Sequence, residues 1–156
     1  GGMKFKLIKD LLRPPYDKEG KTTFNQRFKI GVYMIYENDK LQYVGYSGRM
    51  TEKQRAGLTK PDLYKALYRH FQDWRDKQQQ RVTFNPNTAK VRVIYCNNRT
   101  TADKLEKALI IKHKPPKNPL QYSVNYDMDK KEIEVLDLYN NTKATDIQQY
   151  DDEIPF

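Results

Sequence analysis

Cysteine is all but missing from this sequence. Cys96 is the single one in 156 residues, so no disulfide framework and no multi-cysteine metal site can form within the chain. A reducing cytoplasmic compartment is the expectation that follows. Apolar residues are also scarce, at 37%, and no run approaches the ~20 residues that a membrane-spanning helix requires. A secretory apolar segment is missing too, as are internal repeats and low-complexity tracts. Acidic residues are outnumbered, with 20 Asp and Glu against 29 Lys and Arg, for a net charge of +9. That imbalance points to a polyanion, nucleic acid ahead of an anionic membrane, and no basic amphipathic helix supports a membrane partner.

What the chain has instead is aromatic side chains, twelve Tyr and six Phe, which can build a small core and leave rings available for stacking. The length suits one domain. Gly1-Gly2 reads as a purification remnant ahead of Met3, and residues 1–29 as an N-terminal extension, a short helix or extended arm over 3–12. "FKIGVYMIYE" and "LQYVGYS", rich in β-branched and aromatic residues, predict two strands joined by a turn at Asn38-Asp39-Lys40. A helix opens near Asp62, with Leu63, Leu67, Phe71 and Trp74 on one stripe. "KVRVIYC" predicts a third strand. "NNRTT" caps a helix with Leu105 and Leu109 inward, which ends at Pro115-Pro116. "KEIEVLDLY" alternates, and predicts a late strand in a region 126–143. The order hairpin, helix, strand, helix predicts an α+β fold, a small mainly antiparallel three-stranded sheet flanked by helices over residues 30–125.

Gly31-Val32-Tyr33 on one strand and Tyr43-Val44-Gly45 on the next are followed by "YRHF" on a helix. Glu106 comes on a later helix, and Asn118 after the double proline. This set, in this order from Ile30 to Asn118, resembles the GIY-YIG endonucleases. The resemblance implies a phosphodiester hydrolase acting on DNA with Mg²⁺ or Mn²⁺. It implies Tyr33 as general base, Tyr43 and His70 as supporting groups, Glu106 as metal ligand and Asn118 as a brace. One carboxylate plus phosphate and waters is an ordinary way to hold Mg²⁺. Gly45 is expected to let substrate approach the backbone, and Gly31 to do the same or to relieve crowding. The family's arginine four residues before the histidine is replaced by Ala66. Arg69 is the first substitute for that cation, Lys65 the next, then Arg49 and Arg55.

The connection 47–61 carries Arg49, Lys53, Arg55 and Lys60 against Glu52. Together with Lys65, Lys112 and Lys117 it forms a candidate phosphate-binding face, since each neutralised phosphate releases counterions. Four acids and no base follow Lys143, leaving +13 on residues 1–143 of a chain of net charge +9. The acidic tail 144–156 ends in "DDEIPF", which resembles the C-terminal tip of bacterial single-stranded DNA-binding proteins. That resemblance makes Asp151, Asp152, Ile154 and Phe156 candidates for docking on a genome-maintenance protein, or for folding back on the chain's own basic face. Two functions follow. One is the endonuclease, alone or as a homodimer. The other is a nucleic-acid-binding or adaptor module on a nuclease-like scaffold, which the missing arginine at position 66 favours.

Overall fold

The computed structural model describes residues 6–7, 29–47, 63–71, 83–85, 87–118, 127–145 and 152–153. The expected hairpin forms from β2 (Ile30–Glu37) and β3 (Lys40–Tyr46), and β4 (Lys90–Cys96) pairs with β2 on its other side. Both of these pairings are antiparallel. Asn38 and Asp39 make the connection with φ of 51° and 60°, the two-residue type I′ turn whose twist suits a hairpin. Two short strands line the outer edge of β4. They are β1 (Lys6–Leu7), antiparallel at Val91 and Lys90, and β5 (Asp152–Glu153), parallel at Ile94 and Tyr95. The N-terminal arm is therefore extended where it is described, and the backbone of the acidic tail returns to the sheet.

Strand periodicity divides the side chains between two cores. On the first face Tyr33, Ile35, Val91, Val93 and Tyr95 pack with Leu63 and Leu67 of α1 (Leu63–Tyr68). On the second, Val32, Met34, Val44, Ile94 and Cys96 meet Leu105 and Leu109 of α2 (Arg99–His113) and Val135 and Tyr139 of α3 (Lys130–Thr145). The expected cap of α2 is in place: the Thr101 amide donates to Asn98 Oδ1 at 2.8 Å. The fold is α+β, as the element order predicted.

Two expectations are corrected. Residues 130–145 form a helix, not a strand. Glu132, Val135, Leu136 and Tyr139 are buried while Ile133 is exposed, a 3.6-residue period that superficial alternation hides. A reciprocal capping box starts the helix: the Glu132 amide donates to Asp129 Oδ1 at 2.7 Å, and the Asp129 amide donates to Glu132 Oε1 at 2.9 Å. Lys104 Nζ adds a 2.7 Å ion pair to Asp129, and that hydrogen bond is the main cause holding the Asp129 carboxyl below its usual range. The first helix also departs from expectation. It is α-helical only to Tyr68 and tightens into a 3₁₀ turn at Arg69–Phe71. There the His70 carbonyl accepts from the Phe84 amide at 2.8 Å. Trp74 lies outside the described residues.

Cys96 is buried, and burial pushes its thiol up to about 12 from 9.0. The thiol should therefore ignore Ellman's reagent at pH 8 in the folded protein and give one equivalent in denaturant. Labelling of the native protein at the denatured rate would contradict its burial. The sign of the pH effect follows, because the unfolded chain ionises first. Stability is intact below pH 9 and falls as pH rises toward 12, and Cys96→Ala removes that part of the slope.

Candidate active site

Register places Tyr33 opposite Gly45 on one side and Val93 on the other. The Tyr33 ring lies across the glycine. A Cβ added at Gly45 would meet the Tyr33 hydroxyl, Cζ and Cε2, the last at 2.8 Å. The glycine of the second tripeptide thus makes room for the tyrosine of the first. Gly31 has a comparable reason: a Cβ there would come within 2.9 Å of Leu63 Cδ2, so its absence seats α1 on the sheet. Gly45→Ala should cost about 1–3 kcal/mol by overpacking and push the Tyr33 ring out of place. Denaturant unfolding checks the first, and the ring's NMR shifts check the second. An alanine variant with wild-type stability and unchanged shifts would contradict the contact.

The displaced ring would lose a specific partner. Tyr33 Oη and His70 Nε2 are 3.0 Å apart in a buried hydrogen bond, and the imidazole tautomer decides which of them donates. Tyr43 completes the group, with its ring centroid 4.7 Å from His70 and 6.3 Å from Tyr33. Sequence reasoning thus named three side chains that the fold brings together from two strands and a 3₁₀ turn. It passed over a fourth. Phe84 is buried with its ring 6.2 Å from His70 and 6.4 Å from Tyr43. The signal available was a large apolar residue directly ahead of an Asn-Pro turn.

Asn118 holds the strand that carries Tyr43 and Gly45. Its side-chain Oδ1 accepts from the Val44 amide and its Nδ2 donates to the Val44 carbonyl, both at 2.9 Å. The register between β2 and β3 slips after Ile35, leaving Gln42 as an extra residue, and the Lys117 amide takes the Gln42 carbonyl at 3.0 Å. Together these contacts close the outer edge of β3.

The remaining candidates come from several elements. Glu106 is 9% exposed and belongs to α2, the helix of the opposite face, which packs along β3. Ala66 packs on the first core. Arg69 is exposed on the 3₁₀ turn, and Lys112 and Lys117 are exposed beyond the core of α2. Arg49, Lys53 and Arg55 lie outside the described residues, as do the Lys65 side chain, Asp151, Ile154, Phe156 and the Asp152 side chain. Among the described residues no three His, Cys, Asp or Glu gather as a ready-made ion cage. The donor chemistry of a single carboxylate fits an ion shared with a substrate phosphate.

No family model, curated protein or solved structure matches this chain.

Its site must therefore be read from its own side chains. A buried phenol-imidazole pair can relay a proton. The aromatic floor limits water around that pair, and exposed lysines near α2 and the double proline favour an anion.

Proposed function

We propose that the chain is a divalent-metal-dependent endonuclease with a GIY-YIG-type site that hydrolyses DNA phosphodiester bonds. The observation that carries this reading is the 3.0 Å contact between Tyr33 Oη and His70 Nε2. A phenol, with an ordinary pKa near ~10, is a poor base at neutral pH. A histidine on its oxygen gives the phenol proton somewhere to go. With Nε2 unprotonated, Tyr33 donates to His70 and its oxygen is turned toward phenolate.

In the cutting step a water oxygen bonds to phosphorus while one of its protons passes to Tyr33 Oη. The Tyr33 proton moves to His70, the phosphorus–oxygen bond to the leaving sugar oxygen breaks, and that oxygen takes a proton from solvent. The imidazolium returns its proton to solvent after release. Tyr43, against both groups, orients the water or the phosphate. Glu106 is the residue that would hold Mg²⁺ or Mn²⁺, which when bound supplies Lewis-acid charge stabilisation at the phosphate. The net charge of +9 suits DNA as the partner, and the acidic tip remains a candidate for a protein partner.

Supercoiled plasmid incubated with Mg²⁺, Mn²⁺ or EDTA tests the reading. Nicked or linear product with either metal and none with EDTA is expected. Binding without metal-dependent cutting of either single- or double-stranded DNA would overturn it in favour of an adaptor module.

A further inference from the structure

We propose that Lys117 is the cation of the site, binding the non-bridging oxygens of the phosphate being cut and replacing the charge that Ala66 does not supply. The inference rests on the nuclease reading above and names a residue that reading leaves open. Position 66 packs on the first core, so α1 offers no cation there.

Lys117 is positioned from a different part of the chain. Pro115 is buried at the end of α2, and the Asn118 amide donates to its carbonyl at 3.2 Å, closing a tight turn around Lys117. The Lys117 amide is fixed to the Gln42 carbonyl at 3.0 Å, and Asn118 grips Val44 through both side-chain atoms. Two successive residues of this turn are therefore tied to the residues on either side of Tyr43. The side chain follows the same direction. Lys117 Nζ sits 5.4 Å from the centroid of the Phe84 ring, whose own neighbours are Tyr43 and His70, at 6.4 Å and 6.2 Å. The ammonium is thus held one ring away from the tyrosine–histidine group, on a backbone anchored beside Tyr43.

An exposed cation–π contact is weak, whereas a charge-assisted hydrogen bond to phosphate is strong. The four-carbon stem lets the ammonium leave Phe84 for a phosphate over the rings without moving the backbone. As water adds to phosphorus, negative charge grows on the non-bridging oxygens, and Lys117 offsets it there. It forms and breaks no covalent bond.

Single-turnover cleavage and equilibrium binding of one fluorescein-labelled DNA duplex, measured for wild type, Lys117→Gln and Lys117→Arg, test the assignment. Lys117→Gln is expected to slow cleavage on the order of 10²–10³-fold, the usual effect of losing one charge-stabilising donor, with binding changed far less. Lys117→Arg should recover most of the rate. A glutamine variant that cuts at the wild-type rate overturns the inference and leaves the nuclease reading standing. So does one whose loss appears wholly in binding, with a salt dependence shallower by about one phosphate. A wild-type protein that cuts nothing with either metal overturns both.

Discussion

Tyr33→Phe is expected to give a folded protein that has lost cleavage, by about 10²–10⁴-fold, the range for removing a general base. The substitution isolates the oxygen. Phenylalanine keeps the ring that lies over Gly45 and keeps its stacking with Tyr43, so the hairpin has no reason to rearrange. What disappears is the hydrogen-bond partner of a buried His70 nitrogen, the atom at 3.0 Å. Leaving that nitrogen unsatisfied costs about 1–3 kcal/mol, enough to register in a denaturant melt and too little to unfold a domain of ordinary stability. The signature is thus a large loss in single-turnover rate with an unchanged circular dichroism spectrum and a modest shift in midpoint. A variant that nicks plasmid within tenfold of wild type would take Tyr33 out of the base role.

Asn118→Ala should produce the largest loss of stability among single changes near the site, about 2–6 kcal/mol. Val44 is buried, and the asparagine amide serves both its N–H and its carbonyl. In effect a side chain replaces one peptide of a fourth strand. Alanine leaves two buried main-chain groups without this partner, at about 1–3 kcal/mol each. Asn118→Asp is no remedy, because a carboxylate accepts from the N–H and has nothing to donate to the carbonyl. A chain of this size should melt roughly 4–24 °C lower. Tyr43 and Gly45 flank Val44, so the same variants should also loosen the ring cluster. Stability of Asn118→Ala within about 0.5 kcal/mol of wild type would show that neither bond matters, since that is the ordinary range for an indifferent surface change.

The parts of this fold that sequence revealed were those governed by local rules. β2, β3 and β4 are short β-branched and aromatic runs bounded by turn residues. The helix of Glu106 carries its own Asn98 cap and a double-proline stop. The final helix was equally well signed, by Asp129 and Glu132 at capping-box spacing. Alternation of Glu132 and Glu134 with Ile133 and Val135 masked it, because in so short a stretch a period of 2 and one of 3.6 share positions. The site divides the same way. Tyr33, Tyr43 and His70 could be picked out by residue type and order. That Gly45 exists to clear the Tyr33 ring, that Phe84 floors the cluster and that Lys117 comes to rest upon it depend on tertiary approach. No local pattern in the chain encodes such contacts.

The Asn118 clasp also has a temporal side. It joins residues 74 apart in the sequence, whereas the hairpin it completes closes through a two-residue turn. During synthesis at ~5–20 residues per second, the ribosome needs roughly 4–15 s to travel from Val44 to Asn118. Through that interval the emerging hairpin carries both tyrosines with the outer edge of β3 still open. The proposed cutting site is then switched on late, by the same turn that delivers Lys117. A nascent chain shorter than 118 residues should bind DNA through its charge and leave it intact.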